Sequence, residues 1–449
     1  MQNEYAGKVP FNGDVLTIGF GVTVAMWACG YVLHLPRPAP PNAILLAIVA
    51  LLMVLGGFLA GRLTRRGWRG GMYCGLVTGL LNLLLLGGIL SSRETGSAGS
   101  AALLWAPLSI LVAMACGAAG AWLGRRGRAR ATGSDINWPA WFAVVTAAAT
   151  VLLLSVGGMV TGYEAGLAVP DWPNSFGYNM FLYPIVDMPG GVYFEHAHRL
   201  LGSLVGLTTV VLAIYVWRVD ARRWLRRLAL VAVVMVAAQG LLGGLRVTGR
   251  LTLSQDAAHL SPSTVLAVVH GVFGQVFLAT LVAVATFLST PWLRAEPPAP
   301  HRSAGTDRRL GGAAVALLLI QLVAGALVRH LAQGVVIHIT LAGVVLAAVA
   351  LLAARSWALY EHPIMQRLGK IVLAAGALQV LLGIAAVVAI MLEGAREGPA
   401  GWQVLVTTAH QTLGAVLLLG CVDLLLWNVR ICARCHNGML PVRGSHPGM

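Results

Sequence analysis

Twelve long apolar stretches constrain this chain more than any other feature. They fall near residues 15–34, 42–61, 71–91, 101–124, 138–160, 198–217, 226–246, 263–289, 310–329, 334–354, 369–392 and 402–427. About 20 apolar residues suffice to cross a bilayer as a helix. Backbone polar groups meet no water there, so a stretch of this kind must bond its own backbone as a helix. The expectation is an all-α polytopic membrane protein of about 12 transmembrane helices. Composition agrees: 58% of residues are hydrophobic and 10% charged, with a mean hydropathy of +0.79. Soluble domains are about a quarter charged. A soluble enzyme, a disordered chain and a secreted disulfide scaffold are therefore excluded. The first stretch lacks a small-residue cleavage site and is followed by another span, so it reads as mature structure.

The formal charge of +15 reads as topology rather than as nucleic-acid binding, because the arginines cluster between spans. Alternate connections hold Arg62, Arg65, Arg66 and Arg69; Arg125, Arg126, Arg128 and Arg130; Arg218, Arg222, Arg223, Arg226 and Arg227. The same side collects Arg294, Arg302, Arg308, Arg309, Arg355, Arg367, Lys370, Arg430, Arg434, Arg443 and Lys8. That is 24 of the 31 basic residues; Arg37, Arg93, Arg199, Arg246, Arg250, Arg329 and Arg396 make up the other side. The positive-inside bias predicts an even number of spans with both termini in the cytoplasm, in a cell (inner or plasma) membrane. The six cysteines are scattered and outline no disulfide framework.

A polar break at 125–137 separates four N-terminal spans from eight others. The expected organisation is an N-terminal four-span region over 1–134, an eight-span domain over 135–430 and a tail over 431–449. Within the eight, four histidines stand near the starts of four spans: His198, His270, His338 and His410. A separation of 72 residues occurs twice, between His198 and His270 and between His338 and His410. Local sequence repeats as well, HGVFGQVFLA at 270 against HQTLGAVLLL at 410, and AQGLLGGLRV against LQVLLGIAAV. A duplication at this scale predicts two pseudo-symmetric four-helix bundles, 138–289 and 310–429, each with one pair of His.

A histidine inside a span is costly without a partner, and four at duplicated spacing point to ligand binding rather than to four separate structural roles. Zinc would call for a third or fourth ligand near each pair. Two His facing each other across a bundle, flanked by glycines, suit a haem iron. Glu195 and His198, three residues apart, share a helix face. A carboxylate there is a candidate for proton handling; the alternative is a helix-start ion pair with Arg199. His196 points to another face and reads as structural. Arg246, Arg329 and His330 lie at outer span ends, where they would meet haem propionates or anchor the interface. Trp172 suits a lid or an interfacial aromatic belt.

At these residues the chain resembles the heme A synthase family over about 138–429. The resemblance rests on TGYEAGLAVPDWP (161–173), then Glu195-x-x-His198-Arg199, then His270, His338 and His410-Gln411. It implies an oxidoreductase that converts haem O to haem A by successive hydroxylations of a ring methyl, for haem-copper oxidase assembly. It further implies that His338 and His410 ligate the iron of a permanent haem b, that His198 and His270 flank the substrate haem, and that Glu195 is catalytic. Arg199, Arg246, Arg329, Asp171 and Trp172 would contact propionates or the outer loop. The implied partners are haem O, an electron donor, the haem O synthase, cytochrome oxidase assembly proteins and the lipid bilayer. Val169 and Ser175 stand where many bacterial members carry two cysteines, so that outer-loop disulfide cannot form here. The four N-terminal spans have no counterpart in the resemblance.

Other readings remain. A membrane dihaem electron carrier would hold two permanent haems and alter no substrate. A repeat-built secondary transporter would bind at the midplane, whereas these His lie toward one face. The tail string Cys432-Ala433-Arg434-Cys435-His436 has the form of a c-type haem attachment site, but the charge bias places it on the cytoplasmic side, so it is discounted.

Overall fold

The computed structural model describes residues 12–35, 40–91, 101–125, 136–185, 188–248, 264–392 and 399–434. Arg37, Arg93, Arg250 and Arg396 fall outside them, as do Lys8, most of the polar break (126–135, with Arg126, Arg128 and Arg130), Arg443, and Cys435 and His436 of the tail string.

The protein is an all-α membrane protein in which each apolar stretch forms a helix: α1 (Gly13–Leu33), α2 (Asn42–Leu63), α3 (Trp68–Leu90), α4 (Ala101–Arg125), α5 (Trp138–Gly162), α6 (Gly191–Val219), α7 (Arg223–Thr248) and α8 (Thr264–Leu288). After the short α9 (Thr290–Arg294) come α10 (Ala304–Leu331), α11 (Val335–Ala358), α12 (Pro363–Met391) and α13 (Gly401–Ile431). Twelve of these helices are long and apolar enough to cross a membrane. Three begin six or more residues before the expected start: α6 at Gly191 rather than near 198, α10 at Ala304 rather than near 310, and α12 at Pro363 rather than near 369. Polar residues near their starts (Glu195 and His196; Asp307 to Arg309; Gln366 and Arg367) lower the hydropathy there, so a hydropathy window misses residues that the helix includes.

The described residues form two compact units. Unit 1 comprises Met1–Leu288 and Ala385–Thr412; unit 2 comprises Ser289–Ile384 and Leu413–Met449. By packing, the four N-terminal helices therefore belong with α5–α8.

Within unit 1, α2, α3 and α4 approach backbone to backbone. A Cβ on Gly57 or on Gly71 would stand 2.1 Å from the Gly117 carbonyl oxygen. Without a hydrophobic drive between helices in lipid, this close van der Waals contact is what associates them. α1 leans on α5 and α6: Phe20 meets Phe142 edge-on, and Tyr193 Oη donates to the Tyr31 carbonyl at 2.7 Å. α5 starts at a capped end, where Asn137 Oδ1 accepts from Ala140 N and its Nδ2 donates to the Leu288 carbonyl of α8. The cap thus also ties the first and last helices of the α5–α8 bundle.

Between α5 and α6 runs the outer loop. It folds into a hairpin of β1 (Asn174–Ser175) and β2 (Tyr178–Asn179), with Phe176 and Gly177 both at positive φ. Two consecutive positive-φ residues are what a type I′ two-residue hairpin turn requires. Asp171 accepts from both turn amides at 2.7 Å. The outer end of α3 supports this loop, since a Cβ on Gly88 would lie 2.6 Å from the Tyr183 carbonyl oxygen.

In unit 2, the parallel pair β3 (Ala299–His301) and β4 (Cys432–Arg434) closes the end opposite the histidines. Asp307, 2% exposed, accepts from Arg355 Nε and from Tyr360 Oη, both at 2.5 Å, and Asn428 donates to Tyr360 Oη. Arg308 donates to the Cys432 carbonyl, linking this network to β4.

Candidate functional site

The extended start of α6 determines the site. Glu195, His196, His198 and Arg199 lie in its first three turns, directly under the outer loop. Glu195 and Arg199 form an i, i+4 ion pair at 2.6 Å, with side chains 5% and 8% exposed. The second Glu195 oxygen accepts from Val169 N at 2.8 Å. Arg199 also donates to the carbonyls of Val169, Asp171 and Asn174 at 2.9, 2.7 and 3.0 Å. The Glu195–Arg199 pair is therefore a latch that holds residues 169–174 onto α6. Both readings of Glu195 meet here: it is paired with Arg199, and it is buried one turn from His198. The four bonds that Arg199 makes to protein direct its guanidinium to the loop rather than to a propionate.

His196 is fully buried, with Nδ1 3.1 Å from Ser175 Oγ and its ring 5.2 Å from that of Tyr183. One of the two positions that carry cysteine in many bacterial heme A synthases is thus occupied by a serine that meets His196. Val169, the other, is fully buried and supplies the amide bound by Glu195. Trp172 lies over Gly244 of α7, where a Cβ would come within 2.4 Å of its ring. The Arg246 guanidinium lies against Gly166, and its Nε is buried without a hydrogen bond among the described residues.

Below the latch, His198 of α6 and His270 of α8 face each other, with ring centroids 6.3 Å apart and planes at 78°. An imidazole centre lies about 1.2 Å from its ligating nitrogen, and an iron–nitrogen bond is close to the ~2.0 Å of zinc–histidine bonds. Two axial imidazoles on one iron therefore place their centroids about 6.4 Å apart, so the observed spacing fits a haem iron between the rings. His198 Nδ1 is buried without a partner among the described residues. Among those residues no group of three or more His, Cys, Asp or Glu is placed to hold a metal ion. The donor set is thus a pair of imidazoles, which suits haem better than a bare ion.

His338 lies in the first turn of α11 in unit 2, where Gln321 of α10 donates to its carbonyl at 2.9 Å. His410 lies in the part of α13 that belongs to unit 1, where its neighbours Thr408 and Thr412 pack on Gly158 and Ser155 of α5. Arg329 and His330 occupy the last turn of α10, with Arg329 exposed.

Sequence reasoning missed Ser175, Gln239 and Gln321 as neighbours of histidines. For the glutamines the repeat held a signal, since each stands four residues before a glycine that lies under a histidine ring.

Residues 140–340 match the COX15-CtaA family, described as cytochrome oxidase assembly protein. A heme A synthase from Halalkalibacterium halodurans is 30% identical over 147 residues, which is 32% of this chain and 44% of the relative. Others come from Alkalihalophilus pseudofirmus (29% over 122 residues; 27% of this chain, 38% of the relative) and Shouchella clausii (34% over 102; 22% and 33%). The chain thus spans less than half the length of each of these curated relatives.

Proposed function

Taking as premise that residues 140–340 carry the COX15-CtaA pattern, we propose that this protein is a haem A synthase, an oxidoreductase that takes a ring methyl of haem O to a formyl group by successive hydroxylations. The observation that carries this reading is the facing pair His198–His270, at the spacing two axial ligands need, beneath the buried Glu195–Arg199 latch.

His198 and His270 would hold the substrate haem, and the family resemblance implies His338 and His410 as the ligands of haem b. Bound there, haem b supplies reversible one-electron chemistry. The chain's own residues bind, orient and exclude water. The latch seals the outer loop over the His198–His270 pair, and Trp172 on Gly244 covers its α7 side. Glu195 is the one carboxylate buried beside the pair among the described residues, placed to hold or pass a proton at its Oε atoms. Arg246, whose Nε has no partner among the described residues, is placed to meet an anionic propionate. The arginine bias supports a membrane orientation with both termini cytoplasmic. Haem O, an electron donor, a haem O synthase and oxidase assembly proteins are the partners implied.

The test is extraction and chromatography of haems from cells that express this chain together with a haem O source. Hydroxylated and formyl haems are expected. Accumulation of haem O alone refutes the reading, and two permanent b haems with no product would establish the dihaem carrier instead.

A further inference from the structure

The histidines sit on a repeated device of the helix before them. Gln239 of α7 donates to the His270 carbonyl at 3.0 Å, and a Cβ on Gly243, one turn on, would lie 3.5 Å from His270 Cε1. Gln321 of α10 donates to the His338 carbonyl at 2.9 Å, and a Cβ on Gly325, again one turn on, would lie 3.0 Å from His338 Cε1. The same arrangement thus occurs once in each unit. A third copy is visible in α12. Gln379 and Gly383 stand four apart, with Gln379 31 residues before His410, just as Gln239 stands 31 before His270. The Gln379 amide nitrogen lies 3.3 Å from a Cβ placed on Gly414, four after His410; that of Gln239 lies 3.2 Å from one placed on Gly274, four after His270.

We propose that this Gln-x-x-x-Gly turn is a positioning device for the histidines: the glutamine amide holds the histidine's own backbone, and the glycine seats its ring. The proposal rests on the haem reading above. A mid-helix carbonyl already accepts from the N–H four residues on, so a second donor reaches it only from a helix packed close by. Once made, that bond sets both the rotation and the depth of the His-bearing helix, and hence where the imidazole points. The glycine supplies the room in unit 2, whereas a Cβ at Gly243 would make ordinary contact with His270. A methyl at Gly325 would press on the ring at a distance that real Cβ contacts seldom show.

The amide has a second capacity. The Oε1 atoms of Gln239, Gln321 and Gln379 are buried and accept no hydrogen bond among the described residues. In unit 2 the Gln321 amide also lies 3.1 Å from His338 Nδ1. A turn about the soft terminal amide torsion brings the oxygen to that nitrogen. A ligating histidine donates its other ring N–H to such an acceptor, which fixes its tautomer and raises its basicity.

His198 keeps the seat and lacks the clamp. A Cβ on Gly157 would lie 3.0 Å from His198 Cε1, but Leu153, an apolar side chain, occupies the glutamine position. His198 is therefore the more loosely held ligand, in the bundle whose haem must enter and leave.

The test uses the full-length protein, stripped of haem and titrated with haem b. Affinity, midpoint potential and the low-spin electron paramagnetic resonance signal are read. Gln321→Leu and Gly325→Ala are expected to weaken haem binding about 10- to 100-fold, with a shifted potential and an altered low-spin signal. Asn82→Leu, which removes a part-buried side-chain hydrogen bond from Trp27 between α1 and α3, leaves all three unchanged. Should Gln321→Leu fail to accumulate, Gln321→Asn keeps the amide but falls one methylene short, and gives the same comparison. Unchanged affinity, potential and signal in these variants overturn the proposal. A wild-type chain that binds no haem b overturns the haem reading itself.

Discussion

Replacing Glu195 by Gln isolates the latch. The carboxylate accepts from Val169 N and from Arg199 Nη2, at 2.8 and 2.6 Å. An amide has one acceptor oxygen, so one of the two donors faces an NH2 group instead. A hydrogen bond to a charged group contributes about 1.5–3 kcal/mol, so the substitution removes roughly 2 kcal/mol of local stability. At 1.4 kcal/mol per factor of ten, the loop then opens about 30-fold more often. Hydrogen exchange in detergent or nanodiscs reads this directly, because local opening limits exchange in such a segment. Amides of 169–175 should exchange about 30-fold faster in Glu195→Gln, while those of α2–α4 stay unchanged. Arg199→Leu should have a larger effect. It removes four hydrogen bonds and leaves a buried carboxylate without its partner, a loss of about 3–5 kcal/mol. Exchange of 169–175 within threefold of wild type in both variants would refute the latch and return Glu195 to a purely chemical role.

Other perturbations separate the remaining contributions. Gly177→Val places a β-branched residue at φ +80°, which costs about 1–2 kcal/mol; faster exchange confined to the hairpin checks it. Gly88→Leu drives a side chain into the Tyr183 carbonyl and should lower the melting temperature by the equivalent of about 1–3 kcal/mol, with the loop at 181–185 loosened first. Asp307→Ala leaves Arg355 and Tyr360 without their shared acceptor and should cost about 3–5 kcal/mol, against about 1.5–3 kcal/mol for Tyr360→Phe, both read by thermal unfolding in detergent. Burial pushes the Cys432 thiol above its ordinary range, so less thiolate is present at pH 8. Maleimide labelling of Cys432 should be slower than that of a free thiol and should accelerate as pH rises toward the raised value.

Legibility differed from residue to residue. His198 and His270 were readable because a polar group inside an apolar stretch stands out against its background, and because duplication repeated it at one spacing. Asp171 and Trp172 were readable from their loop string. Gln239 and Gln321 left only the repeated Gln-x-x-x-Gly spacing as a signal, because one amide in an apolar helix has many uses, and its partner lies 31 residues away in one case and 17 in the other. His196 read as structural, and it is fully buried against Ser175 and Tyr183, partners the sequence did not indicate. Only the fold of the outer loop brings Ser175 back onto α6.

Sequence alone determined that the chain is a twelve-helix membrane protein with four repeated histidines. In hydrocarbon the backbone has one solution per apolar stretch, and each buried polar residue is costly enough to be conspicuous. Tertiary structure decided what those residues face. It brought the His198 ring to 6.3 Å from that of His270, committed Arg199 to the loop carbonyls, and set the outer end of α3 under that loop. These are contacts between segments far apart in sequence. Helix periodicity fixes which face a side chain occupies but not which helix it meets; that follows from the close approach of particular glycines and the few buried hydrogen bonds between them.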